Sequence, residues 1–457
     1  MTQRHRLGLI KTALGLSTLP GAAWAHATDQ AFVLLLPTDV YMAAGGAAVA
    51  LTVVALALLP GTLASRLFTS LRLIRLPTTR APLVTSWLSF AVLAWLVWLG
   101  WAGPRDPLVN LLPLTIWTGW WLILLTLHAL AFDIWTWVNP WTGPVRAARR
   151  LLGPAPLRLP RWTGLAVFLG FAAFLLAHPA PTDPAILARA VALYWLFSFA
   201  GHLAFGPRWA LRGCGISMMM RAYGRMAMLG KRGGWLCLGL PGWQLLPGGA
   251  RQLVPALLVL LILGTGSFDG LNETFWWMTR LGVNPLEFPG RSAVVWQTVL
   301  GLALSCAALI AVFVGLVRLG LGLAGAGTIP GSIALFAPTL LPIALGYHVA
   351  HYLTAVMVEA QYMLSALSDP LARGDDLLGL GTFYVTTGFF NTQDNVRLIY
   401  LGQAGAIVVG HMIAVLLAHA LAVRHVPRRP GLSQAPLAAF MVLYTLFGLW
   451  LLASPRV

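Results

Sequence analysis

Charged residues are scarce in this sequence. They make up 9% of its 457 positions, where a soluble domain of ordinary composition carries about 25%. A chain this poor in charge cannot clothe two soluble domains, so its length reads as one membrane bundle. Cysteine is scarce too: Cys214, Cys237 and Cys306 are the full set, and no CxxC occurs. That excludes a disulfide framework and a sulfur-rich metal site. A GxSxG elbow, a P-loop and a dinucleotide fingerprint are also missing. Ten histidines are too few for a membrane di-iron oxygenase of the many-histidine type.

Apolar surface is what the chain has in quantity. Hydrophobic residues make up 58%, and the 20 Trp and 20 Phe suit the lipid–water boundary and the seams between helices. The net charge of +17 raises the question of nucleic acid. Lys11 and Lys231 are the only lysines, and the arginines fall in short clusters between apolar runs. No basic face interleaved with aromatics is present, so the pattern is that of loops beside a lipid bilayer, with no nucleic-acid partner.

Residues 1–25 begin with Arg4, His5, Arg6 and Lys11 and end on Ala23-Trp24-Ala25. A basic start, an apolar middle (interrupted by Lys11) and a small-residue ending are the pattern of a cleavable signal peptide. Cleavage after Ala25 would expose His26, whose amine and ring can bind metal; cleavage after Ala27 would remove it. Residues 26–457 then form a single transmembrane domain of the all-α class, a polytopic helix bundle. Each crossing needs about 20 apolar residues. Ten runs qualify, at roughly 40–62, 83–102, 111–135, 162–178, 186–205, 252–268, 297–319, 331–361, 400–423 and 434–453.

Loop charge sets the orientation. With the mature N-terminus on the periplasmic side of a bacterial inner membrane, the odd-numbered loops are cytoplasmic. These hold arginine groups such as Arg66, Arg72, Arg75 and Arg80, and not one acid. The acids lie opposite, apart from Asp133 and Glu359, which sit in or at the ends of spans. Two exported segments, 269–296 and 362–399, are longer than simple turns and could form a lid over the exported mouth. The first reads as a short interfacial helix followed by a Pro-punctuated loop. Their acids, Asp269 with Glu273 and Asp369 with Asp375 and Asp376, suit a hard cation, a cationic solute or simply a solvated acidic surface.

Ionisable groups inside spans are expensive and are functional candidates by default. In GYHVAHYLTAVMVEAQYM, His348 and His351 share a helix face, and Glu359 lies eleven residues beyond His348, about three turns. His411, on the ninth span, lies roughly 16 Å below its exported end by helical rise, close to the depth of the first two. His348, His351 and His411 could therefore meet as a metal site for Zn, Cu or Fe, and His128 could reach a similar depth. A haem held by two rings is a further option. His419 and His202 lie nearer the cytoplasm, with Tyr194, Ser198 and His202 at four-residue steps and Asp133 as a candidate partner. For each His alone, a structural hydrogen bond across helices is the competing reading.

Several phrases resemble a known family. LLPTDVYMAAGG, NPWTGPVRAARRLLG, FGPRW, FDGLNETFWWM and VNPLEFPGRSAVV are among them. YHVAHYLT, QYMLSALSDPL and GDDLLG complete the likeness, which spans most of the mature chain. The family is one of bacterial membrane proteins labelled fenitrothion hydrolase. The resemblance implies water attack at the phosphorus of an organophosphate triester, with an aryloxide leaving. A metal-activated water would serve, with His348, His351 and His411 as ligands and Glu359 as base or orienter. A transporter of a small molecule or metal ion, working through its intramembrane His and Glu residues, is the alternative. A haem-bearing redox protein is the third.

Overall fold

The computed structural model describes residues 33, 36–58, 61–77, 80–153, 157–246, 252–327 and 329–457. The expected signal peptide and His26 lie outside the described residues. Helices dominate, and among the described residues nine are long and apolar enough to cross a membrane. They are α1 (Thr38–Leu58), α2 (Ala81–Ala102), α3 (Leu111–Leu130), α5 (Pro184–Phe205), α6 (Leu253–Asn272), α7 (Val295–Leu323), α8 (Ser332–Ser368), α9 (Gln393–His425) and α10 (Pro430–Ala453). A shorter apolar helix, α4 (Thr163–Ala177), stands between α3 and α5. Each apolar run in the sequence thus becomes one helix. Local signals set several starts. Asn110 accepts from the Leu112 N–H at 2.9 Å ahead of α3, and Asp183, before Pro184, accepts from the Ile186 N–H at 2.8 Å ahead of α5.

Burial sorts the helices into two shells. In α6 and α8, 78% of the most apolar window is buried, against 17% in α1 and 28% in α7. The inner helices are enclosed on all sides. The outer ones turn residues such as Leu51, Leu300 and Leu304 outward, a surface that suits lipid and not water. α8 and α9 cross closely because two glycines face each other there. A Cβ on Gly410 would meet the Pro342 carbonyl at 2.5 Å, and one on Gly346 would meet the Ala406 carbonyl.

One element departs from the all-helical expectation. β1 (Leu71–Arg75), β2 (Leu229–Arg232) and β3 (Trp235–Leu238) form a small antiparallel sheet in the order β1-β3-β2, built from the arginine-rich loops. Gly233 and Gly234 turn the hairpin with φ of 59° and 82°, a conformation that glycine adopts without strain.

The loop after α8 uses its acids on itself. Asp369 accepts from the Arg373 and Gly374 N–H groups at 2.9 and 2.7 Å. Asp376 accepts from the Gly381 and Leu380 N–H groups at 2.9 and 2.7 Å and from the Ser368 hydroxyl at 2.9 Å. The Gly381 bond, with those of Ser368 and Leu380, holds the Asp376 carboxyl below its ordinary range. A depressed value means the ionised form steadies the loop. That support is full above about pH 4 and is lost as pH falls through the depressed value. Asp376→Asn is expected to speed tryptic cleavage at Arg373 severalfold at neutral pH; an unchanged cleavage rate would assign the loop's order to other contacts.

Candidate functional site

The sequence alone places Asp269 in an exported loop. The structure instead carries α6 on to Asn272, which puts Asp269 one turn inside the helix and only 7% exposed. Its carboxylate accepts a hydrogen bond from the Tyr352 hydroxyl and lies 3.3 Å from His351 Nε2. On the other side of the same ring, the Arg456 guanidinium meets His351 Nδ1 at 3.1 Å. A guanidinium can only donate, so Nδ1 presents its lone pair and the ring proton sits on Nε2, toward Asp269. The result is a carboxylate, a neutral imidazole and a guanidinium in line. The buried carboxylate and the half-buried guanidinium are of opposite sign across the ring, which eases the cost of holding Asp269 there.

Arg456 belongs to the segment after α10, and that segment is stitched in place. Thr274 and Arg456 pair as an isolated antiparallel bridge. Phe275 N–H donates to the Pro455 carbonyl at 3.0 Å and Val457 N–H to the Glu273 carbonyl at 2.9 Å. Arg456 also donates to the Leu451 carbonyl at 3.1 Å. Nearby, Arg291 and Glu273 approach to 3.7 Å. The guanidinium therefore enters the network on a short strand with its own backbone partners.

α3 supplies the third wall. From Leu114 to Leu124 its backbone is π-helical, a wider coil whose hydrogen bonds run i to i+5 and which clusters at functional positions. This stretch turns two groups toward α8. The Trp121 carbonyl accepts from His348 Nε2 at 3.1 Å, and the Thr118 hydroxyl donates to Glu359 at 2.5 Å. The Trp121 and His348 rings meet edge to face, 5.2 Å apart. A cavity of about 30 Å³ opens among Thr265, Asp269, His348, His351 and Tyr352, enough for one or two water molecules.

The three histidines expected to share a metal are held by different partners. His348 and His351 line one cavity, but both nitrogens of His351 face Asp269 and Arg456. His411 donates from Nδ1 to the Ile407 carbonyl at 2.9 Å. Its ring lies 6.3 Å from that of Tyr444, whose hydroxyl meets the Ser267 hydroxyl at 2.5 Å. Among the described residues, no three of His, Cys, Asp and Glu converge where they could hold a metal. With a guanidinium on the middle ligand, the residues present do not fit a three-histidine centre. Glu359 stands about 12 Å along α8 from His351 by helical rise, so it is a separate polar contact and not a base at this network.

The other histidines are locally bonded. His128 Nε2 donates to the Met220 carbonyl at 2.6 Å, and its Nδ1 lies 3.7 Å from Asp133, which is therefore the neighbour of His128 and not of His202. His202 Nδ1 donates to the Ser198 carbonyl at 2.8 Å, and His419 Nδ1 meets Gln434 at 2.5 Å. No family model, no curated protein and no solved structure matches this chain.

Proposed function

We propose that this protein is a multi-pass membrane transporter in which Asp269, His351 and Tyr352 handle a proton beside the water-sized cavity. The supporting observation is the carboxylate buried within the bundle, faced by an imidazole on one side and a phenol on the other. Such groups in apolar surroundings are costly, and where they occur they mark ion and proton paths. Protonating Asp269 removes the negative charge that balances Arg456. The network must then rearrange, so a proton can be coupled to a change in shape. The resting tautomer of His351, with its proton toward Asp269, is set by Arg456. In this reading the mature N-terminus and the segment carrying Arg456 face the periplasm, in line with the arginine-rich opposite face.

The test uses vesicles with purified full-length chain and an entrapped pH dye, under an imposed membrane potential. Wild-type protein is expected to pass protons faster than empty vesicles, and Asp269→Asn is expected to fall to the empty-vesicle rate. No flux above empty vesicles, or equal flux in the variant, would overturn the transport reading. The hydrolysis implied by the family resemblance has its own readout, nitrophenolate release from an aryl phosphotriester by the same preparation. Turnover without proton flux would replace transport with hydrolysis.

A further inference from the structure

A second and much larger cavity lies at the opposite, arginine-rich face. It measures about 560 Å³, within the size range of ligand pockets. Three separate elements each contribute an arginine to its wall: Arg72 from β1, Arg232 from β2 and Arg424 from the last turn of α9. No acid lines the cavity, and among the described residues none of the three arginines forms an ion pair with a carboxylate. Arg424 donates to the Leu246 carbonyl at 3.3 Å, which fixes its direction and leaves further N–H donors of the fork. The remaining wall is mixed, with Ser70 polar and Trp243 and Ala420 apolar.

Three cations gathered without a counter-charge repel one another, and a bound anion relieves that repulsion. Guanidinium forks match the oxygens of a phosphate in paired hydrogen bonds, which a chloride or a single carbonyl cannot satisfy. We infer that this cavity binds a phosphate-bearing anion through Arg72, Arg232 and Arg424. The group can arrive as the headgroup of an anionic phospholipid or as a free phosphate. The apolar wall beside the end of a membrane-length helix accommodates the first, and the polar side of the cavity accommodates the second. The sheet assembles this site, because two of its three strands carry an arginine of the set.

The test is a melting series on the detergent-purified full chain with phosphatidylglycerol, inorganic phosphate or zwitterionic phosphatidylcholine. Phosphatidylglycerol or phosphate is expected to raise the melting temperature, while phosphatidylcholine is not. A response to the lipid alone identifies a headgroup site, and a response to phosphate identifies a free-anion site. Each Arg→Gln change at these positions is expected to weaken binding about fivefold, with Arg72→Lys, which keeps the charge but loses the fork, falling between Arg72→Gln and wild type. Arg150→Gln, outside the cavity, is expected to behave as wild type. If neither anion stabilises wild type, or if phosphatidylcholine does so equally, the inference fails. It also fails if Arg72→Gln, Arg232→Gln and Arg424→Gln each respond as wild type does.

Discussion

Asp269→Ala is expected to destabilise the folded protein by about 1–3 kcal/mol, the range seen when buried hydrogen-bonding groups lose their partner. Asp269 compensates Arg456 through the His351 ring, and its carboxylate is also the acceptor for Tyr352. Deleting it takes the acceptor from the buried Tyr352 hydroxyl and the carboxylate from the far side of the His351 ring, opposite the half-buried Arg456. Thermal unfolding in detergent reads this directly. The sharper comparison is a double change, Asp269→Leu with Arg456→Leu. Removing both charges is expected to restore part of the loss, since apolar replacements of a whole buried pair are often tolerated. A double variant worse than the sum of its singles would mean that shape, and not charge compensation, holds this site.

Gly410→Leu is expected to have an effect at least as large, for an unrelated reason. The carbonyl of Pro342 stands where the new Cβ would go, and backbone atoms cannot rotate aside as a side chain can. α8 and α9 would have to separate along their whole crossing, a cost of about 3 kcal/mol or more. Because α8 carries His348, His351 and Tyr352, the separation would also dismantle the hydrogen-bonded network around Asp269. Gly405, on the same helix, has no neighbour within 4 Å of a built Cβ. Gly405→Ala is therefore expected to be neutral or mildly stabilising, by up to about 1 kcal/mol. Equal melting temperatures for Gly410→Leu and Gly405→Ala would remove the close-crossing account.

The helices were legible because crossing a bilayer requires a long unbroken apolar run, which no other element needs. The helix face was legible as well: His348 and His351, three residues apart, line the same cavity. What lies across the face was not. Asp269 sits at the end of an apolar run, beside Glu273 in a stretch that reads as loop, and nothing local shows that α6 carries it one turn inward. Arg456 was invisible for a similar reason: a single arginine after the last span looks like a flanking charge until the bridge with Thr274 sets it against His351. Periodicity also fails for Leu114–Leu124, because a wide coil changes which residues share a face while leaving composition unaltered. The Gly233-Gly234 pair was a readable hairpin signal, passed over inside a basic stretch that reads as a loop.

The small sheet also bears on how the protein is made. β1 leaves the ribosome after α1 and the short helix Gly61–Leu67, yet its partner β3 follows only after α2, α3, α4 and α5 have been synthesised. Synthesis proceeds at about 5–20 residues per second. For roughly 8–30 seconds, then, Leu71–Arg75 is an unpaired edge beside the bilayer, with its hydrogen-bonding groups bare. Pairing of β1 with β3 then ties the start of the chain to its middle, and the arginine cavity is complete only later, when α9 brings Arg424 to it. Closure of the sheet is in this sense a late checkpoint in assembly, met after half of the helices are already in place.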